Sequence, residues 1–155
     1  MHSEFRGRLK PRDLGACWNT LGKLLRRSRD ERQWLKDHPG AMDVLLEQTR
    51  ETLPQFDAQA VANTVHGLSA INVACGWTAG AAAWAELASR AAAVTESGNS
   101  QSLTNTAYAF AKLGYAAPEL LEAIAAAAVP RLNEFIPQGL ANTAWAYATA
   151  GHAAP

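Results

Sequence analysis

Apolar residues recur at three- and four-residue spacings along much of this chain, which is the pattern of amphipathic α-helices. The first stripe falls within residues 11–25, where Pro11 suits the first turn of a helix. Its apolar members are Leu14, Cys17, Trp18, Leu21, Leu24 and Leu25. A charged segment from Arg26 to Lys36 follows, and Pro39-Gly40 then interrupts the chain. Because helical periodicity extends along much of the chain, the sequence predicts an all-α protein.

Further predicted helices are bounded by residues that favour helix ends. Four of them cover residues 58–70, 101–113, a stretch from 118, and 137–150. Two others are recognised by their apolar positions: Met42, Leu45, Leu46, Thr49 and Leu53 in one, and Trp84, Leu87, Ala91 and Val94 in an alanine-rich one. Asp57 is placed as an N-cap. Gly114 and Gly151 are placed to end two helices. Pro118 suits a first turn, whereas Pro130 must kink or break the helix that it interrupts.

Three segments share a Gln-x-x-x-Asn-Thr signature, so the chain contains an internal repeat. The signature begins at Gln59, Gln101 and Gln138, and its Asn-Thr pairs are Asn63-Thr64, Asn105-Thr106 and Asn142-Thr143. The asparagines are spaced by 42 residues and then by 37. Between Gln101–Pro118 and Gln138–Pro155, 11 of 18 positions are identical. Periods of this size are typical of stacked arrays of helix pairs.

The repeat predicts an α-solenoid of stacked helix-turn-helix units of about 37–42 residues, roughly three and a half in number. We divide the single array 1–155 into a diverged repeat over about 9–53, repeats over about 54–96 and 97–133, and a partial one over 134–155. In the partial repeat the second helix would begin where the sequence reaches Pro155. We therefore expect an unpacked apolar face near Leu140, Ala144 and Tyr147, covered by a longer array or by a dimer.

Composition narrows the class of protein. The chain is 48% hydrophobic, which is enough for a folded core. It has no uninterrupted apolar run of membrane-spanning length, and residues 1–10 lack the apolar core of a secretory signal. We expect no membrane partner, and no clear transit peptide is present. Cys17 and Cys75 are too far apart in sequence for a metal motif, so neither a disulfide framework nor a metal site is indicated.

Candidate catalytic residues are sparse. The four histidines, His2, His38, His66 and His152, are scattered, and there is no metalloprotease motif, nucleophile elbow or glycine-rich phosphate loop. The sequence therefore favours a protein that is not an enzyme, with no cofactor and no small-molecule substrate.

The string Phe135-Ile-Pro-Gln-Gly-Leu-Ala-Asn-Thr-Ala-Trp-Ala-Tyr-Ala148, preceded by Pro130-Arg-Leu, resembles the octotricopeptide repeats of algal organelle proteins. Related helix pairs occur in the RAP-domain and FAST-kinase-like mitochondrial proteins. The similarity covers residues 54–155 well and 9–53 loosely. The family's run of prolines followed by Glu-Trp corresponds here to Ala116-Ala117-Pro118-Glu119-Leu120.

The resemblance implies an α-solenoid in the chloroplast or mitochondrion that binds single-stranded RNA. Its role would be post-transcriptional, in transcript stability, processing, splicing or translation. Other helical-repeat proteins read about one base per repeat with two or three side chains.

Differences between the repeats separate structural positions from candidate contacts. The constant Asn63, Asn105 and Asn142 are interpreted as structural, with amides that bond neighbouring backbone between stacked helices; ligand contact is the alternative. The variable positions form a stripe at i, i+4 and i+8: Ala62, His66 and Ala70, then Thr104, Tyr108 and Lys112, then Ala141, Trp145 and Thr149. The middle residue of each set, His66, Tyr108 or Trp145, carries a ring. These rings would stack on unpaired bases, or else would form an aromatic ladder that fills the space between adjacent helices.

Charge leaves two functions open. Residues 1–50 hold 11 Lys/Arg and 7 Asp/Glu, a balance of +4, whereas residues 51–155 hold 3 and 7, a balance of −4. RNA binding depends on Lys and Arg, which the repeats largely lack. A protein-interaction scaffold, with a peptide or helix held on the surface of the array, is therefore the alternative function.

Overall fold

The computed structural model describes residues 9–151, which fold into eight α-helices without a strand. The helices are α1 Pro11–Arg27, α2 Arg29–Asp37, α3 Asp43–Thr52, α4 Ala58–Cys75, α5 Ala81–Val94, α6 Ser100–Leu113, α7 Pro118–Ala128 and α8 Pro137–Ala150. Short 3₁₀ segments lie at Leu53–Gln55, Thr95–Ser97 and Val129–Glu134. The all-α prediction is confirmed. The basic residues 1–8 and the repeated tail 152–155 lie outside the described range.

Most helix ends fall where capping residues predict them. The Asp57 carboxylate accepts a hydrogen bond from the Ala60 N–H at 2.8 Å and caps α4. Gly114 and Gly151 end α6 and α8 with φ of 68° in both cases. Helix α7 stops at Ala128, just before Pro130, because proline cannot donate the next helical hydrogen bond.

Two segments differ from the prediction. Helix α4 extends beyond Ala70 as far as Cys75, because the fully buried Ile71 continues its apolar side. The charged segment after α1 forms the helix α2, in which the Ser28 hydroxyl accepts a hydrogen bond from the Glu31 N–H. Only Leu35 of α2 is buried, so the apolar periodicity that would reveal this helix is nearly absent.

The helices that begin the repeats pack in chain order. Helix α4 lies between α1 and α6, and α6 lies between α4 and α8. We call α1, α4, α6 and α8 the first row. Helices α5 and α7 pack against each other beside it. Helix α3 is tied to α1, because the buried Trp18 indole N–H donates to Thr49 Oγ1 at 2.9 Å.

Glycines allow α1 and α4 to approach closely. A Cβ on Gly67 would clash with the Trp18 carbonyl group and would lie 2.7 Å from the Asn19 nitrogen. A Cβ on Gly22 would lie 3.1 Å from the Gly67 oxygen. Backbone meets backbone at this crossing, and only residues without a side chain fit there.

The exposed face expected on α8 is found only in part. Leu140 is 40% exposed and Ala144 is also exposed. Tyr147, however, is buried, and its hydroxyl donates to the Leu121 carbonyl oxygen. The prediction that Tyr147 lacks a packing partner is therefore wrong, because the ring turns towards α7. Within residues 9–151 no helix has both the length and the apolar character needed to cross a membrane.

Candidate functional site

The variable stripe divides into buried and accessible members. Ala62 is fully buried, and Thr104 is only 5% exposed. The Thr104 hydroxyl lies 3.2 Å from Thr143 Oγ1 on α8, so it faces the neighbouring helix. His66, Ala70 and Tyr108 are half-buried, whereas Lys112, Ala141, Trp145 and Thr149 are exposed. The accessible members lie on α4, α6 and α8 of the first row.

A groove of about 390 Å³ brings several of these side chains together. His66, Tyr108 and Lys112 line it, as predicted contact residues. Arg26 of α1 and Arg32 of α2 also line it, and sequence reasoning did not select them. We call this cavity the basic groove. The signal that pointed towards the two arginines was the positive balance of residues 1–50.

Next to the basic groove, two aromatic rings are in contact. The Tyr108 and Trp145 centroids are 5.2 Å apart, with an angle of 47° between the ring planes. Lys112 Nζ lies 5.2 Å from the Tyr108 centroid, within the range of a cation–π interaction. Trp145 nevertheless remains 45% exposed. We call Tyr108 and Trp145 the ring pair; it bridges α6 and α8 and still presents indole surface.

The electrostatic surroundings of His66 are positive. Partial burial lowers the pKa of its imidazole below the usual value, and the nearby charges of Arg26, Lys112 and Lys23 lower it further. No carboxylate is among the residues that line the basic groove. The lowered pKa favours the neutral form of His66 at pH 7.

The constant asparagines lie at the same helical position but have different surroundings. Asn63 Oδ1 accepts a hydrogen bond from Gln59 Nε2 within α4 at 3.3 Å. Asn105 and Asn142 line a cavity of about 430 Å³ between α6 and α8. Within residues 9–151, none of the three amides donates to backbone of a neighbouring helix. Their structural role stays a prediction.

A larger cavity, which the sequence did not reveal, lies between α3 and α5 and has a volume of about 1000 Å³. Its apolar members are Leu46, Leu53, Pro54, Ala85 and Ala93, and its acidic ones are Asp43, Glu47, Glu51 and Glu86. Its arginines have partners, because Arg50 pairs with Glu86 at 2.7 Å and Arg90 donates to the Phe56 carbonyl. We call this cavity the acidic groove.

The His, Cys, Asp and Glu side chains of the described residues do not cluster as metal ligands do. Across the helices from α1 to α8 and their connections, no group of three or more His, Cys, Asp or Glu side chains is placed to hold a metal ion. His38 stacks on Trp34 with centroids 4.4 Å apart, at the end of α2. His2 and His152 lie outside the described residues.

Comparison of the chain with models of protein families gives no match, and comparison with curated proteins gives none either.

Proposed function

We propose that this chain is an RNA-binding module of an organellar gene-expression factor, built as an α-solenoid of helical repeats. The repeated signature supports the architecture, as does the order in which α1, α4, α6 and α8 pack. The resemblance to octotricopeptide repeats supports the chloroplast or mitochondrion as its location and RNA as its ligand.

The observation that carries the proposal is the ring pair beside the basic groove. Proteins that bind single-stranded nucleic acid combine exposed aromatic rings with positive charge, since bases stack on the rings and cations contact the backbone. Trp145 presents indole surface at one end of this arrangement, and Lys112 lies over Tyr108 at the other. Both features occur on the stripe at which the repeats differ.

The basic groove also contains positive charge that the repeats themselves largely lack. Arg26 and Arg32 come from the diverged first repeat, yet they line the same cavity as Lys112. Cations from distant parts of the sequence are therefore concentrated on one face. The overall net charge of zero does not describe this surface.

Trp145→Ala tests the proposal. Loss of one stacked base costs about 1–3 kcal/mol, so we expect affinity for a short, labelled, single-stranded RNA of mixed sequence to fall about 5- to 150-fold. Fluorescence anisotropy measures the affinity, and circular dichroism checks that helicity is kept. Trp34→Ala is the matched control, because Trp34 is 52% exposed, stacks on His38 and is not among the residues that line the basic groove. Equal affinities for wild type and Trp145→Ala would contradict the proposal.

The acidic groove favours a second candidate function, that of a protein-interaction scaffold. Its apolar and acidic side chains would complement a peptide that carries apolar residues flanked by Lys or Arg. Such a peptide would bind between α3 and α5, away from the ring pair. Peptide binding by a protein that has no affinity for RNA would favour the scaffold over the RNA-binding module.

A further inference from the structure

We infer that the basic groove binds a backbone phosphate of the RNA strand, with Arg26, Lys112, His66 and Ser69 around the anion. The inference rests on the proposed function and deepens it, since it assigns the phosphate and the base of a nucleotide to different side chains.

The cations that face the groove come from separate elements. Arg26 lies on α1, Arg32 on α2 and Lys112 on α6, and all three line one cavity. Arg32 Nη1 donates to the Leu25 carbonyl at 2.7 Å and to the Arg26 carbonyl at 3.1 Å. Arg32 therefore positions the end of α1, and its hydrogen bonds fix the backbone that carries Arg26. Arg26 and Lys112 donate no such backbone hydrogen bonds among the described residues, so we assign them as the main contacts to the phosphate.

Ser69 supplies an independent sign of a ligand. Its side chain is 97% buried, since only 3% is exposed, and it lines the groove. Its hydroxyl has no hydrogen-bond partner in the part of the chain that the structure describes. A buried hydroxyl without a partner is unfavourable, and most such groups in proteins are satisfied. An anionic oxygen in the groove would accept a hydrogen bond from this hydroxyl.

His66 adds a dependence on pH. The groups that face it are Lys23 and Arg26 of α1 and Lys112 of α6, with Arg32 of α2 in the same groove, and all are positive. These charges and burial lower the pKa of the free imidazole. A bound phosphate offsets the effect of these cations because it supplies negative charge, so it raises the pKa of the imidazole and favours its protonated form. Affinity is then expected to rise as pH falls towards and below the ordinary histidine range.

Tyr108 belongs to both the groove and the ring pair. A base stacked on the exposed side of Trp145 would therefore place the adjoining backbone near Lys112 and Arg26. This shared residue favours a phosphate that is part of a strand over an isolated anion.

The experiment measures RNA affinity against salt concentration for wild type, Arg26→Gln, Lys112→Gln and Arg27→Gln. Each phosphate contact contributes about 0.7 to the slope of log K on log salt for a single strand. Arg26→Gln and Lys112→Gln should each reduce the slope by about that amount, equally on RNAs of different sequence. Arg27→Gln is the matched control, because Arg27 is the exposed neighbour of Arg26 but does not line the groove.

Equal slopes for Arg26→Gln, Arg27→Gln and wild type would overturn the inference while the RNA-binding function stands. Absence of RNA binding by the wild type would overturn the proposed function itself. The affinity of the wild type for inorganic phosphate is measured as well. An affinity as tight as that for RNA would contradict assignment of the groove to a phosphate within a strand.

Two further variants separate ligand binding from packing. His66→Gln should remove the rise in affinity at acidic pH. Ser69→Ala should weaken RNA binding without lowering the melting temperature, because the hydroxyl makes no hydrogen bond within the described protein. A lower melting temperature with unchanged affinity would show that Ser69 is structural and would count against the inference.

Discussion

Between α1 and α4 the backbones nearly touch, whereas α6 and α8 are joined by side chains. Gly67 of α4 faces the Trp18 carbonyl directly. At the same position of the later repeats stand Ala109 and Ala146, both buried. Between α6 and α8 the contacts include the threonine pair Thr104 and Thr143. One repeat signature therefore accommodates backbone contact at one pair of helices and side-chain contact at another. We call the contact of α1 with α4 the close junction and that of α6 with α8 the wide junction.

The close and the wide junction place different chemistry on the same surface. The close approach of α1 brings Lys23 and Arg26 near His66, so cations gather at that end. The wider junction leaves room for the rings of Tyr108 and Trp145. The proposed RNA binding rests on this combination of cations and exposed aromatic rings on one surface.

Gly67→Ala should produce the largest effect, because it breaks the close junction. The added Cβ meets main-chain atoms of Trp18 and Asn19, which cannot turn away as a flexible side chain would. We expect a loss of about 3 kcal/mol in the free energy of unfolding, at the upper end for overpacking. Urea denaturation followed by circular dichroism measures it.

Gly139→Ala is the matched control for that substitution. At the wide junction the nearest atom to its Cβ would be Thr104 Oγ1 at 3.5 Å, an ordinary contact. Because glycine is unfavourable inside a helix, this variant should be neutral or more stable by up to about 1 kcal/mol. Similar losses for both variants would show that the two junctions do not differ in closeness.

The ends of the helices were easier to predict from sequence than the contacts between helices. Asp57, Gly114, Pro118 and Pro130 act locally, so their effects on helix ends follow from residue type. The need for glycine at position 67 depends instead on a helix 40 or more residues earlier in the chain. No local pattern carries that information.

Part of the candidate site could also be predicted from the sequence. The variable stripe selected His66, Tyr108, Lys112 and Trp145, which lie at or beside the basic groove. Helical spacing cannot tell that Thr104 faces α8, because α6 packs against both α4 and α8. Arg26 and Arg32 were missed because they lie outside the repeat signature, and the acidic groove was missed because it arises from a gap between α3 and α5.

Thr104→Val should lower the free energy of unfolding by an intermediate amount, because it changes only the wide junction. Thr143 donates to the Gly139 carbonyl, so its oxygen accepts from Thr104. Loss of that bond with little change in shape should cost about 1 kcal/mol in thermal or urea unfolding. Because Thr104 is buried, RNA affinity should not change. Thr149→Val, at an exposed position of α8, should leave stability unaltered. A specific loss of RNA affinity in Thr104→Val would support the prediction that Thr104 contacts RNA.

Ile136→Asn should give the smallest change in the free energy of unfolding, and it should stabilise the protein instead of destabilising it. Asp57 and Asn99 precede α4 and α6 at the same repeat position, and each caps its helix through a side-chain oxygen at 2.8 Å. Ile136 has the extended backbone of an N-cap but no group that can accept a hydrogen bond.

The introduced amide oxygen can accept the Gly139 N–H, which should stabilise the protein by about 0.5–1 kcal/mol in urea unfolding. Ile136 is 67% exposed, so little buried apolar area is lost in exchange. A net loss of stability would mean that the buried part of Ile136 holds α8 in place at the wide junction more strongly than a cap would. The wide junction would then depend on apolar contact at the start of α8, as the close one depends on glycine.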